Sequence, residues 1–271
     1  MAGELPNQIV LVGCGKMGTA LLNGWIHNHF PPKNIFVIEP DRKRREVLLD
    51  LGINLIDNVS NLTCNDAALI FAIKPQIMAN ILPNYITFAK NCTVVISIAA
   101  GCPVALFNEY LGEVPIVRAM PNTPAAIGMS MTVAYASTNC QSNHIKTSEN
   151  LLKAIGKVSW ILQEDLMDAV TAISGSGPAY VFLLIEALSA AGINAGLPSE
   201  LAFRLANETV RGAGELATVS VEPPEQLRIN VTSPGGTTEA ALDVLMAKNG
   251  LSQLVEHAVS AATKRSQELA R

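Results

Sequence analysis

Charged and aromatic residues are scarce in this 271-residue chain: Lys, Arg, Asp and Glu together make up 15%, and aromatic residues 5%. The balance is slightly acidic, with a net charge of −4 and a pI of about 5.6. Proteins that bind nucleic acid present a basic surface, so this composition argues against a nucleic-acid partner.

Cysteine and histidine are few and scattered. The five cysteines are an odd number without Cys-x-x-Cys spacing, and no cluster of histidines lies near them in the sequence. A disulfide framework needs pairs and a zinc site needs closely spaced ligands, so we expect reduced thiols and no metal site. The cysteines are Cys14, Cys64, Cys92, Cys102 and Cys140.

Long apolar runs are also missing. The longest, residues 179–193, is interrupted by Glu186, and we expect it to be too short to span a bilayer. The first residues lack the basic and apolar regions of a signal peptide, so we expect a cytoplasmic protein with no membrane partner. Apolar residues nevertheless make up 49% of the chain, which suggests a buried subunit interface.

The chain does contain one Gly-x-Gly-x-x-Gly motif, directly after the apolar run 9–12. Gly13 suits the tight turn out of a strand, Gly15 lets the backbone approach a pyrophosphate, and Gly18 lets the next helix pack closely. The helix N-terminus then offers N–H groups to the phosphates. Because strand, motif and helix follow in this order, the sequence predicts dinucleotide binding rather than an ordinary turn.

Apolar runs alternate with helical patterns over the first half of the chain, which is typical of a doubly wound parallel sheet. We therefore predict an N-terminal Rossmann-type α/β domain over residues 1–163. Further strands are expected at residues 35–38, 53–56, 67–73, 93–98, 115–120, 129–135 and 157–162. Because parallel strands end at one edge, the loops at Lys74, Ala99 and residues 121–124 should line one cofactor cleft.

The apolar period is helical from residue 164 onwards, which predicts an all-helical C-terminal domain over residues 164–271. Two loops are distinctive there, residues 174–178 between two helices and residues 232–238 at the start of another. The second loop could hold a small carboxylate on its N–H groups. Alternatively, Thr237 or Thr238 only caps the helix.

Five segments resemble the pyrroline-5-carboxylate reductases, and the resemblance covers nearly the whole chain. The segments are residues 73–76, 97–101, 120–124, 174–180 and 233–238. The resemblance implies NAD(P)H-dependent reduction of L-1-pyrroline-5-carboxylate to L-proline, the last step of proline synthesis. It also implies a homodimer formed through the helical dimerisation domain, often assembled further into a ring of dimers.

The same resemblance implies which residues form the site. The implied cofactor contacts are Gly13, Gly15, Lys16, Met17, Gly18, Asn58, Lys74, Ala99 and Asn230. The implied substrate contacts are Glu164, Gly236, Thr237 and Thr238. Thr238 is the candidate catalytic residue: its hydroxyl would orient the ring nitrogen of the imine, since a free hydroxyl is a poor acid.

The choice between NADH and NADPH depends on the end of the second strand. Glu39 stands where an acidic residue bonds the ribose 2′-hydroxyl and repels a 2′-phosphate. Arg42 or Arg44 could hold that phosphate if Glu39 turned away. The resembled family commonly has a neutral polar residue there and commonly uses NADPH. We therefore expect NADP, with NAD also accepted, and count Glu39 and Arg42 as cofactor-binding residues.

Two other functions are compatible with parts of the pattern. A 3-hydroxyacid dehydrogenase of similar plan would need a Lys or His after the sheet domain, and residues 164–174 contain neither. A non-catalytic NADP-sensing protein would keep the Gly-rich loop but would not need residues 233–238.

Overall fold

The computed structural model describes residues 5–60, 62–63 and 66–269, so Cys64 lies outside the described residues. The chain forms two compact units. The first runs to Gly175 and also includes the chain from Ala262 onwards, and the second is Ser176–Ala261.

An eight-stranded sheet forms the centre of the first unit. Its strands are β1 (Gln8–Val12), β2 (Ile35–Ile38), β3 (Asn54–Leu55), β4 (Ala67–Phe71), β5 (Val94–Ser97), β6 (Ile116–Met120), β7 (Ser130–Ala136) and β8 (Gly156–Ile161). The order across the sheet is β3-β2-β1-β4-β5-β6-β7-β8. The strand order reverses at β1, which is where sheets of this kind bind ligands. The predicted Rossmann-type doubly wound sheet is therefore confirmed.

The last two strands depart from the predicted parallel arrangement. β7 pairs antiparallel with β6, and β8 pairs parallel with β7. The connection from β6 to β7 is short and contains only one 3₁₀ turn, Thr123–Ile127. A parallel pair needs a crossover of about a dozen residues or more, so this connection returns the chain antiparallel.

Helices pack on both faces of this sheet. They are α1 (Lys16–His27), α2 (Arg42–Leu48), α3 (Pro75–Ile81), α4 (Ile86–Ala89), α5 (Val104–Leu111), α6 (Ser142–Lys153) and α7 (Met167–Val170). Leu22, Trp25 and Ile70 lie in one apolar core, and Phe71 and Phe107 lie in another. Neighbouring residues of β4 thus fill opposite cores, which explains why its sequence is continuously apolar.

The second unit is helical. It contains α8 (Gly177–Asn194), α9 (Ser199–Val219), α10 (Pro224–Asn230), α11 (Thr237–Leu245) and most of α12 (Leu251–Leu269). Small residues bring α8 and α9 together: Ala202 is buried, and a Cβ added to Gly192 would lie 3.2 Å from its Cβ. Apolar side chains of α8, including Phe182 and Leu183, are exposed in the single chain. An apolar surface of this kind is typical of a subunit interface.

Residues 164–175 are helical, yet they belong to the sheet-containing unit. The compact units therefore divide later than the predicted boundary after Gln163. The reason is a set of contacts with the sheet edge, in which Arg118 binds Glu164 and Asn122 binds Ser174. Periodicity along the chain does not reveal such contacts.

These turns also lengthen the apolar helical run. Residues Glu164–Asn194 are the one run among the described residues that is long and apolar enough to cross a membrane by length and composition. The stretch 179–193, which the sequence predicts to be too short, is only part of this longer helical run. A single run of this kind is weak evidence for a membrane span, and the exposed face of α8 equally suits a subunit contact.

Candidate cofactor and substrate site

The Gly-rich loop joins β1 to α1 with the geometry that the motif predicts. Gly13 has a φ of 87°, and a Cβ there would lie 2.6 Å from Cγ2 of Ile73. A Cβ on Gly18 would lie 2.5 Å from the carbonyl oxygen of Gly13, so only glycine lets the helix pack on the loop. A Cβ on Gly15 would meet no atom within 4 Å, which leaves open space beside the loop.

α1 begins directly behind this loop, with Lys16 and Met17 in its first turn. Its N-cap is Gly15, in extended backbone, and no side chain caps the helix. A helix N-terminus without a capping side chain can donate its N–H groups to phosphate oxygens. These residues thus suit the pyrophosphate of a dinucleotide, by their backbone and by the open space at Gly15.

A cleft of about 510 Å³ opens at the carboxyl ends of β1 and β2. Gly13, Ile38, Pro40, Asn58 and Tyr85 are among its lining residues. Burial raises the pKa of Tyr85 to about 12, so its hydroxyl stays protonated at neutral pH. The mixture of apolar walls and a few polar groups suits an adenosine group.

Glu39 follows β2 but is not among the residues that line this cleft. Its side chain is 2% exposed. One carboxylate oxygen accepts from the backbone N–H of Cys14 at 2.8 Å, and the other accepts from that of Asp41 at 2.9 Å. Arg44 donates to the same carboxylate at 3.3 Å. The side chain is thus turned toward the Gly-rich loop.

The two arginines that could meet a 2′-phosphate differ in their surroundings. Arg42 is 93% exposed and pairs with Glu46 on the same helix at 3.3 Å. Arg44 is 54% exposed and is held by Glu39. Arg44 is thus the less exposed of the two, and its partner is a buried carboxylate.

Two further predicted cofactor contacts lie at the same edge of the sheet. Lys74 is the N-cap of α3 after β4, and Ala99 follows β5. The N–H of Ala99 donates to the hydroxyl of Ser97 at 3.3 Å. The parallel pairing of Val12 with Phe71 places the Lys74 loop beside the Gly-rich loop, and the pairing of Phe71 with Ser97 places the Ala99 loop next to that of Lys74.

Glu164, a predicted substrate contact, makes an ion pair that sequence reasoning missed. Its Oε1 accepts from Nη1 of Arg118 at 2.9 Å and from the backbone N–H of Val104 at 2.8 Å. The side chain of Arg118 is 6% exposed and that of Glu164 is 24% exposed. An arginine within the otherwise apolar strand 115–120 was the available signal, since a buried charge needs a partner.

Asn122 forms a second connection that the sequence did not reveal. Its amide donates to the carbonyl and the hydroxyl of Ser174, at 3.2 and 3.3 Å. Its carbonyl oxygen accepts from the hydroxyl of Ser130 and from the N–H of Met131. Two loops that the sequence singled out separately, residues 121–124 and 174–178, are therefore joined by one side chain.

The predicted substrate loop of the second unit leads into α11. Gly236 is the N-cap, Thr237 and Thr238 follow it, and no side chain caps the helix. The alternative in which a threonine serves as the cap is therefore wrong. The N–H of Gly235 donates to the carboxylate of Glu239 at 2.7 Å, so this backbone group already has an acceptor in the first turn of α11.

Asn230, at the end of α10, has both side-chain groups engaged within the second unit. Its amide donates to Glu222 at 2.9 Å, and its carbonyl oxygen accepts from Gln226 at 2.8 Å. Within the described ranges, no three His, Cys, Asp or Glu side chains cluster as metal ligands.

Comparison with known proteins places this geometry among reductases. The family described as pyrroline-5-carboxylate reductase dimerisation matches residues 164–269, and the family described as NADP oxidoreductase, coenzyme F420-dependent, matches residues 8–101. The pyrroline-5-carboxylate reductase of Pseudomonas aeruginosa is 37% identical over 97% of both chains. That of Pisum sativum is 36% identical over 95% of this chain and 94% of its own.

Solved structures agree with these sequence relatives. The pyrroline-5-carboxylate reductase of Coxiella burnetii superposes with a TM-score of 0.92 at 33% identity, over 99% of this chain and all of its own. The Plasmodium falciparum pyrroline carboxylate reductase, solved with NADP bound, superposes with a TM-score of 0.86 at 33% identity, over 99% of this chain and all of its own.

Proposed function

Because the chain belongs to the pyrroline-5-carboxylate reductase family, we propose that its cleft binds NAD(P)H and that it reduces L-1-pyrroline-5-carboxylate to L-proline, the final step of proline biosynthesis. The observation that carries this function is full-length similarity to named reductases at 33–39% identity. Membership of this family overturns the 3-hydroxyacid dehydrogenase alternative and makes the chain an enzyme rather than a sensor.

The residues at the sheet edge fit the cofactor. The glycine geometry, the uncapped start of α1 and the adjacent cleft together offer room for a pyrophosphate and an adenosine group. The cofactor contacts are Gly13, Gly15, Lys16, Met17, Gly18, Asn58, Lys74, Ala99 and Asn230. The cofactor supplies the hydride that this reduction requires.

The chain's own contribution is binding and orientation. Glu164, Gly236, Thr237 and Thr238 form the substrate site, and the N–H groups at the start of α11 hold the substrate carboxylate. The hydroxyl of Thr238 orients the ring nitrogen of the imine. A protonated imine is a good electrophile, so positioning supplies most of what the chain must add.

NADPH is the preferred cofactor and NADH is also accepted. A relative with NADP bound supports this preference. The side chain of Arg44 also supports it, because it is 54% exposed and can bind a 2′-phosphate. Arg42 contributes less to binding of the 2′-phosphate, because its side chain is 93% exposed and its guanidinium pairs with Glu46.

The protein is a cytoplasmic homodimer whose dimers can assemble further into a ring, and it has no membrane partner. The dimerisation family over residues 164–269 and the exposed apolar face of α8 support this assembly. Phe182→Glu would place a charge in that face. We expect the parent to elute as a dimer or a larger ring, with light scattering giving a smaller mass for the variant. A monomeric parent would contradict the assembly.

The function is tested by following NADPH oxidation with pyrroline-5-carboxylate as substrate. We expect proline to appear in equal amount to the NADPH consumed. A 3-hydroxyacid with NADP⁺ should give no reaction. Binding of NADPH without any turnover of the imine would refute reductase activity and favour the sensing alternative.

A further inference from the structure

Glu39 stands where an acidic residue usually bonds the ribose hydroxyls of a dinucleotide. Its side chain is nevertheless buried, and the cleft is lined by its neighbours Ile38 and Pro40 instead. We propose that Glu39 is a positioning residue that anchors the Gly-rich loop and Arg44, and that it does not contact the ribose. This assignment rests on the proposed function, because it concerns the cofactor site of that reductase.

The first part of the anchor fixes the shape of the Gly-rich loop. The N–H of Gly13 donates to the carbonyl oxygen of Ile38 at 2.8 Å. The next N–H, that of Cys14, donates to the carboxylate of Glu39 at 2.8 Å. Two successive loop amides are thus bound to the end of β2, so the loop keeps the turn that exposes Gly15 to a pyrophosphate.

The second part connects that loop to α2. The other oxygen of Glu39 accepts from the N–H of Asp41 at 2.9 Å, and Asp41 in turn caps α2 by accepting from the N–H of Arg44 at 3.0 Å. The guanidinium of Arg44 reaches back to Glu39 at 3.3 Å. One carboxylate therefore joins the Gly-rich loop, the turn after β2 and the first turn of α2.

This arrangement also explains how an acidic residue at this position is compatible with NADPH. The charge of Glu39 is met by one guanidinium and two backbone N–H groups, all within hydrogen-bonding distance. A carboxylate compensated in this way repels a 2′-phosphate far less than one that faces the ribose. The side chain of Arg44 is 54% exposed, so its guanidinium remains accessible to a phosphate.

The two possible roles of Glu39 predict different cofactor profiles. A residue that contacts the ribose discriminates between NADH and NADPH, so its loss changes their relative affinity. An anchor of the Gly-rich loop supports the pyrophosphate, which both cofactors share, so its loss weakens both together.

Glu39→Gln is the most informative variant because it keeps the shape of the side chain. Both carboxylate oxygens of Glu39 accept backbone N–H groups. Glutamine has one acceptor oxygen and its nitrogen only donates, so the variant keeps at most one of these two bonds. We expect the Kd of NADPH and of NADH, measured without substrate by cofactor fluorescence, each to rise about tenfold. Their ratio should change less than about threefold.

Amide hydrogen exchange tests the anchor directly. In the cofactor-free parent, the Cys14 N–H should be protected, and in Glu39→Gln it should exchange about tenfold faster. Lys43→Ala is the matched control, because Lys43 is an exposed cation on the same helix and is not among the groups that bind Glu39. Its Cys14 exchange and its Kd for NADH should equal those of the parent.

A rise in the Kd of NADH alone, with that of NADPH unchanged or lowered, would overturn the proposal in favour of ribose contact. An unprotected Cys14 N–H in the parent would overturn it without any variant. If the parent binds neither cofactor, the proposed function fails, while the exchange measurement on Cys14 still decides whether the anchor exists.

Discussion

Replacing Glu164 by alanine would remove the partner of a buried charge. Its Oε1 is the acceptor for both Arg118 and the N–H of Val104. Loss of one partner of a buried ion pair costs about 3–5 kcal/mol. Glu164 is 24% exposed, so water can partly replace it, and we expect a loss of about 2–3 kcal/mol of unfolding free energy.

That loss should lower Tm by about 4–12 °C, since about 2–4 °C corresponds to 1 kcal/mol in a chain of this size. The measurement is thermal unfolding of Glu164→Ala and the parent at one protein concentration, because dimer stability depends on concentration. The Arg118→Met, Glu164→Leu double variant removes both charges and should recover to within about 1 kcal/mol of the parent.

Activity of the double variant separates stability from substrate binding. If Glu164 contacts the imine, kcat/KM stays low although Tm has recovered. A Tm of Glu164→Ala within about 1 °C of the parent would show that the ion pair does not hold residues 164–175 on the sheet, and the reasoning would be refuted.

Gly18→Ala should raise the Kd of NADPH at least about tenfold, because the new Cβ would clash with the carbonyl oxygen of Gly13. Gly24→Ala is the control: its Cβ would clash with Ala154 instead, so it should lower Tm and leave the Kd of NADPH unchanged. Equal effects on Kd would contradict the assigned geometry. Thr238→Ala should lower kcat/KM for the imine without changing NADPH binding, and the decrease should correspond to a loss of about 1–3 kcal/mol of transition-state stabilisation. An unaltered kcat/KM would exclude the orienting role. Burial raises the pKa of the Cys14 thiol above its ordinary value of 9.0. Alkylation by iodoacetamide, which needs the thiolate, should therefore be slow at neutral pH and should still be rising with pH at pH 9.0. Rapid labelling at neutral pH, measured by mass spectrometry, would be inconsistent with this burial.

The sequence alone predicted the features that depend on nearby residues. The motif at residues 13–18 determined the tight turn and the close helix, because only glycine permits a φ of 87° and a 2.5 Å approach. Continuous apolar runs identified the buried strands, since a strand covered on both faces needs apolar side chains at every position. The helical period after residue 164 identified the second half in the same way.

Only the tertiary structure decided which distant residues meet. The sequence placed Glu39 at the right strand end, but the direction of its carboxylate depends on the N–H of Cys14, 25 positions away. Arg118 and Glu164 are 46 positions apart, and Asn122 and Ser174 are 52 apart. Hydrogen-bond partners across such separations are selected by how the elements pack, and neither periodicity nor local turn chemistry carries that information.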